Sequence, residues 1–200
     1  MILIVDNTEN LKEAYMTPII IDYFKQQNIN TDIMDSSIKL NYNNHFNKEY
    51  SGIILSGGPM LLSKDCNDIV LDNNVAIIHH YKKKIPILGI CLGCQIISFL
   101  YGGSIFISNK ENKGKYKINK TSSDSILLND FPNTFEVYLE HKDFIKLNNQ
   151  TFDITTRFNN IIMSIENNKE KIYGTQFHPE GLESTKKVID NFIKICKIST

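Results

Sequence analysis

Cys91 lies between two glycines in Pro86-Ile87-Leu88-Gly89-Ile90-Cys91-Leu92-Gly93-Cys94-Gln95, after an apolar run and just before a helix-compatible run from Gln95 to Tyr101. A tight turn between a buried strand and a helix suits a nucleophile. The glycines let the backbone bend sharply, and a helix N-terminus favours negative charge on sulfur. The same logic governs the nucleophile elbow, with sulfur here in place of a serine oxygen. Taken alone, Cys91 is equally readable as an acyl-transfer nucleophile, a redox site or a buried thiol. A second candidate is His178-Pro179-Glu180. Proline biases the residue before it toward extended backbone, and residues two apart on an extended chain point the same way, so Glu180 is expected beside the His178 ring. A carboxylate on one ring nitrogen leaves the other to face a thiol, giving a Cys-His-Glu arrangement for acyl transfer. Without Cys91, His178 would read first as a strand-end histidine with an acid nearby. The third candidate, Ser56-Gly57-Gly58-Pro59, reads by itself first as a plain turn. Its second reading is a strand end exposing backbone N–H groups to a ligand.

These three pieces need a scaffold of strands whose ends converge. Ile2 to Val5, a helix over Leu11 to Phe24 and a strand over Thr31 to Met34 form a βαβ opening. Asn41 to Asn47 is an asparagine-dense loop in which His45 is a bystander. Ser51 to Leu55 is a buried strand, and Ile69 to Tyr81 is a helix closed by Lys82-Lys83-Lys84, whose charges suit a helix C-terminus. His79 and His80 are adjacent and diverge by about 100° on that helix, which speaks against a shared metal. Gly102-Gly103 caps the next helix. From Ser104 to Asn168 the pattern changes to short alternating runs (104–107, 115–118, 134–139, 152–158 and 161–165), expected as antiparallel strands, with lysines between Lys110 and Lys120 lining a solvated hairpin. Lys171 to Phe177 is a last strand leading into His178, and Ser184 to Lys197 is a closing amphipathic helix. The expected fold is therefore α/β: a single three-layer domain over residues 1–200, with a mostly parallel central sheet, helices on both faces and a small antiparallel sheet inserted in the second half.

Composition narrows the functional classes. The chain has 200 residues with 42% hydrophobic content, enough for one full core and too few for two comfortable domains. Its 22 basic and 22 acidic side chains balance, which argues against a nucleic-acid-binding surface. Four cysteines (Cys66, Cys91, Cys94 and Cys196) do not resemble a secreted disulfide framework. The N-terminal run lacks a basic n-region, and no apolar stretch approaches the roughly 20 residues of a membrane span. A cytoplasmic location is expected, with no membrane partner.

The run Gly89 to Gln95, with Ser56-Gly57-Gly58-Pro59 before it and Tyr173-Gly174-Thr175-Gln176-Phe177-His178-Pro179-Glu180 after it, resembles the class I, triad-type glutamine amidotransferases in order and spacing along nearly the whole chain. The resemblance implies that Cys91 attacks the side-chain amide of L-glutamine, His178 shuttles the proton and Glu180 orients His178. It implies an oxyanion hole from the N–H groups of Gly58 and Leu92, and substrate contacts from Gly57, Gln95 and His141. It implies no metal or cofactor in this chain, with ATP and magnesium confined to a partner synthase. No synthase module is recognisable in these residues, so a separate glutaminase subunit with an ATP-pyrophosphatase partner is expected. Val137 to Asp143 is similar to the corresponding segment of the glutaminase subunit of GMP synthase, with Glu140 in place of a usual serine. Cys94, where methionine or histidine is common, and Gly181-Leu182 are further departures. The alternatives are the glutaminase subunit of anthranilate or aminodeoxychorismate synthase and, in another class, a thiol-disulfide oxidoreductase using Cys91-Leu92-Gly93-Cys94. The latter leaves the 56–59 turn and His178-Pro179-Glu180 without a task. The spacing of Cys91 and Cys94 also suggests a reversible disulfide.

Overall fold

The structure, a computed structural model, describes residues 1–8, 16–40, 46–64, 67–147 and 150–198. Residues 11–15 of the expected first helix, the loop residues 41–45 including His45, and Cys66 lie outside them. The strands are β1 (Ile2–Asp6), β2 (Thr31–Asp35), β3 (Gly52–Leu55), β4 (Ile87–Ile90), β5 (Ser104–Lys120), β6 (Thr134–Lys146), β7 (Asp153–Phe158), β8 (Ile161–Asn167) and β9 (Ile172–Thr175). The helices are α1 (Met16–Gln26), α2 (Asp68–Tyr81), α3 (Leu92–Leu100) and α4 (Lys187–Ile195). The nine strands form one sheet in the order β2-β1-β3-β4-β9-β8-β7-β5-β6. The first five run parallel, and β8, β7, β5 and β6 continue antiparallel. The antiparallel part thus extends the main sheet through the β8–β9 pairing, where the sequence suggested a separate small sheet. The two short runs expected near Ser104 and Lys115 join into one strand because a bulge between Ile107 and Asn112 absorbs the polar residues between them.

Alternation along the buried strands divides the core. Ile2 and Ile4 face α1 and α4, meeting Ile20, Phe24, Val188, Ile189 and Phe192. Leu3 and Val5 face α2 and α3, meeting Val70, Ile77, Ile78, Ile96 and Ile97. Strands covered on both faces read as continuous apolar runs, and this gives the three layers expected. The ends of the helices follow local chemistry. Asn67 caps α2 by accepting from the N–H groups of Ile69 and Val70. At the end of α3, Gly102 has φ 81°, its N–H donates to Phe99 and that of Gly103 donates to Ser98. This is the paired closure that a left-handed glycine permits. All parallel strands point their carboxyl ends to one edge, where β1 delivers Asn7, β3 Ser56 to Gly58, β4 Cys91 and β9 Gln176 to His178. The crevice outside that edge is where open α/β sheets bind ligands.

Candidate active site

Cys91 occupies the sharp turn between β4 and α3. Its φ of 49° and ψ of −103° are strained for a residue with a side chain. The turn is over-determined by its neighbours: Cys91 N–H donates to the Thr175 carbonyl at 2.7 Å, and Gln95 N–H to the Cys91 carbonyl at 3.0 Å. Two glycines make the turn possible. A Cβ at Gly89 would stand 2.6 Å from the Gly93 carbonyl carbon, and one at Gly93 would stand 2.3 Å from the Leu55 carbonyl oxygen. The helix therefore begins flat against β3 and β4, one turn earlier than the Gln95 start expected from sequence. Leu92 is the first residue of α3, so no intrahelical acceptor is available for its N–H.

The glycine loop after β3 is tied down from behind. Asn7 N–H donates to Ser56 Oγ and Asn7 Nδ2 to the Ser56 carbonyl, both at 2.9 Å, while Asn74 Nδ2 donates to Asn7 Oδ1 at 2.7 Å. The Gly93 N–H donates to the same Ser56 carbonyl at 3.2 Å, joining the loop to the start of α3. Gly57 is the residue against which the reacting side chains close. A Cβ there would lie 2.8 Å from Cε1 of His178 and 3.5 Å from Cβ of Cys91. Gly58 packs as tightly on the Asn7 carbonyl, 2.1 Å from where its Cβ would be. Among the described residues, no acceptor pairs with the N–H of Gly58 or Leu92.

His178 follows β9 in extended conformation, φ −94° and ψ 101°, as the following proline requires. Its N–H donates to the Tyr138 carbonyl at 2.9 Å, which fastens it to β6. Nδ1 lies 2.7 Å from Glu180 Oε1, and both side chains are buried. The contact arises differently from the expected strand alternation. Pro179–Gly181 is a single 3-10 turn, and its curl returns Glu180 to the ring. Burial pushes the His178 ring down, but the Glu180 carboxylate and then the Cys91 sulfur outweigh it and hold the ring well above the usual histidine range. Glu180 thus increases the ring's appetite for a proton and, by taking Nδ1–H, turns Nε2 to the thiol side. In Glu180→Gln the upward pull is lost, so the ring's titration midpoint is expected to fall, read by NMR of the imidazole, with glutamine turnover down about 10²-fold.

A cavity of about 570 Å³ opens over these groups, and Gly57, Gly58, Cys91, Gln95, His141 and His178 all line it. Leu92 and Glu180 stand behind it, 1% and 3% exposed, acting through a backbone N–H and through the His178 ring respectively. All eight residues named from sequence therefore meet in one place. His141 is held by Nδ1–H donation to the Asp143 carbonyl at 2.8 Å. Its Nε2 is buried without a partner among the described residues. Burial, opposed by the Asp143 carbonyl and reinforced by the nearby His178 charge, pushes His141 down to about 4, so it is a neutral acceptor at working pH. In this case the unfolded chain binds the extra proton between about pH 6.5 and 4. Stability present above pH 6.5 is lost as the pH falls through that window, by an amount on the order of 3 kcal/mol. Urea titrations should show that slope in the wild type and its loss in His141→Gln.

Several contributors carry no site signal in the sequence. Asn7, Ser56 and Asn74 brace the glycine loop, and Asp143 accepts from Ser63 N–H at 2.9 Å and from Ser63 Oγ at 2.5 Å, closing the far wall. Gln176 reads from sequence only as part of a strand, yet its Nε2 lies 3.7 Å from Cys91 Sγ. A fully buried amide in an apolar strand is uncommon, and that is the available signal. Cys94 turns away from the cavity. It is 0% exposed, its sulfur lies 2.6 Å from where a Gly174 Cβ would be, and burial pushes its thiol far up. Neither a C-x-x-C redox centre nor a ready disulfide partner for Cys91 fits that position. Among the described residues, no cluster of three or more His, Cys, Asp or Glu side chains could hold a metal, and no helix is long and apolar enough to cross a membrane.

The family model for glutamine amidotransferase class-I matches residues 5–196. The chain belongs to the class-I glutamine amidotransferases. Among curated proteins, this amidotransferase is 39% identical over 155 residues to the GMP synthase [glutamine-hydrolyzing] of Borreliella burgdorferi, covering 76% of this chain and 29% of that protein. It is 37% identical over 156 residues to the separate glutamine-hydrolyzing GMP synthase subunit of Methanocaldococcus jannaschii, covering 75% of this chain and 76% of that one. The match thus spans under a third of the first relative's length and most of the second's. Among solved structures, the amidotransferase superposes on a putative GMP synthase subunit from Thermoplasma acidophilum with a TM-score of 0.80 at 25% identity, over 98% of this chain and 93% of that one. A glutamine amidotransferase from Thermotoga maritima gives 0.75 at 25% identity, over 99% and 85% of the respective chains.

Proposed function

We propose that this amidotransferase hydrolyses L-glutamine to glutamate and ammonia through a cysteinyl thioester and passes the ammonia to a synthase that makes GMP from XMP. The observation that carries the reading is the Cys91, His178 and Glu180 constellation at the rim of the cavity, with Nδ1 of His178 held 2.7 Å from Glu180. His178 Nε2 takes the thiol proton as the sulfur attacks the side-chain carbonyl carbon of glutamine. The tetrahedral oxyanion is received by the N–H groups of Gly58 and Leu92; each such donor is worth roughly 3 kcal/mol in comparable sites. His178 then returns the proton to the amide nitrogen, the C–N bond breaks and ammonia departs. Water, giving its proton to His178, attacks the thioester, the C–S bond breaks with its electron pair returning to sulfur, and glutamate leaves.

Gly57, Gln95 and His141 are the proposed substrate contacts. Gln95 spends its Nε2 inward on the Asp143 carbonyl and on Gln176 Oε1, which leaves its carbonyl oxygen for a substrate donor. His141, kept neutral, offers Nε2 as a further acceptor. The reaction asks for no cofactor here; ATP and magnesium belong to the proposed ATP-pyrophosphatase partner, in the cytoplasm. The kinship with the separate glutamine-hydrolyzing GMP synthase subunit favours that partner. The test is affinity capture of the tagged chain from its own cells, then assay of the complex with glutamine, ATP and XMP. GMP formation is expected, and capture of a chorismate-using synthase with no XMP conversion would overturn the partner assignment.

A further inference from the structure

The Cys91 sulfur has a polar neighbour outside the triad and the oxyanion hole. Gln176, 0% exposed, sets its side-chain amide 3.7 Å from Sγ, within hydrogen-bond range for sulfur. The two ends of an amide are alike in shape, so the direction of this contact rests on the surrounding network. Gln95 supplies it. Its amide end lies 3.1 Å from the Asp143 carbonyl and 3.3 Å from the other end of the Gln176 amide. A backbone carbonyl only accepts, so the Gln95 group facing it is the NH2. The same NH2 must then meet an oxygen on Gln176, and that turns the Gln176 NH2 to the sulfur. The chain of donors runs from Gln95 through Gln176 and ends on Cys91.

The other side of the sulfur has the opposite polarity. Sγ lies 3.7 Å from the Glu140 carbonyl oxygen, a partner for a thiol proton and an unfavourable neighbour for a thiolate. Once the proton has passed to His178, the charge on sulfur needs donors. The geometry points to Gln176 as a catalytic residue, whose amide donates to the Cys91 sulfur whenever that sulfur is negative. This occurs twice in a turnover: before attack on glutamine, and when the thioester C–S bond breaks and the electron pair returns to sulfur. The inference rests on Cys91 being the nucleophile.

Iodoacetamide, small and uncharged, reports on the sulfur without substrate. At neutral pH, Gln176→Met, similar in length but without the donor, is expected to be alkylated at Cys91 about tenfold more slowly than wild type. Glutamine turnover by the synthase complex should fall about as much in kcat, with KM within twofold. A merely structural role would give a lower melting temperature without that split. Gln176→Glu puts a carboxylate against the sulfur and should be slower still; it is read alone if the methionine variant does not fold. Alkylation of both folded variants within twofold of wild type overturns the inference. Loss of turnover in Cys91→Ala combined with that result leaves the nucleophile standing and removes only Gln176. Slow alkylation with full turnover in Cys91→Ala would instead remove the nucleophile reading.

Discussion

Cys91→Ala is expected to lower glutamine turnover by about 10⁴-fold or more, with a thermal unfolding midpoint close to that of the wild type. The activity loss follows from chemistry: no other side chain on the cavity wall is a comparable nucleophile aligned with His178, and the thioester cannot form without sulfur. The stability expectation follows from what the sulfur does in the resting fold. Its hydrogen bonds are two long contacts, to the Glu140 carbonyl and from Gln176 Nε2, both at 3.7 Å. The strain at φ 49° belongs to the backbone and Cβ, and alanine keeps both. Ammonia release from glutamine, measured with the synthase bound, checks the first part, and circular dichroism melts check the second. Retained turnover would refute Cys91 as the nucleophile.

The second large effect is structural. Gly93→Ala is expected to destabilise the chain by about 3 kcal/mol or more, because the added Cβ would stand 2.3 Å from the Leu55 carbonyl oxygen and 2.8 Å from Leu55 Cβ. Both belong to β3 in the middle of the sheet, which cannot move aside cheaply. Relief must come from lifting the start of α3. That would stretch the 3.2 Å bond from Gly93 N–H to the Ser56 carbonyl, the link between helix start and glycine loop. Any variant that still folds should therefore lose turnover as well, since the Leu92 and Gly58 donors sit on either side of that bond. Urea unfolding of wild type and variant measures the stability loss. A difference below about 1 kcal/mol would show that the helix has room the packing denies.

Local sequence expresses some of these constraints and is silent on others. The glycines around Cys91, the proline after His178 and the apolar runs of strand length state their demands within a few residues, and β1, β3, β4 and β9 all lie where those patterns put them. The boundaries shift where a tertiary contact takes over. The start of α3 moves to Leu92 because Gly93 can lie flat on β3, and the last turn of the site becomes a 3-10 curl at Pro179. Strand order also depends on distant pairing: nothing near Lys171 tells β9 to lie between β4 and β8, yet that insertion brings His178 to Cys91.

By itself, then, the sequence determined the chemistry on offer and the class of fold: a cysteine at a glycine-flanked strand end, a histidine with its carboxylate, a glycine turn, and alternating buried strands and helices. The tertiary structure alone decided which groups share a cavity and in what protonation. His141 is neutral because it is buried, the His178 ring is held up because Glu180 and Cys91 flank it, and Cys94 is a core thiol because it faces Gly174. The physical reason is common to all three. Burial and charge environment are set by residues distant in the chain, and a side chain's reactivity follows from that environment as much as from its type.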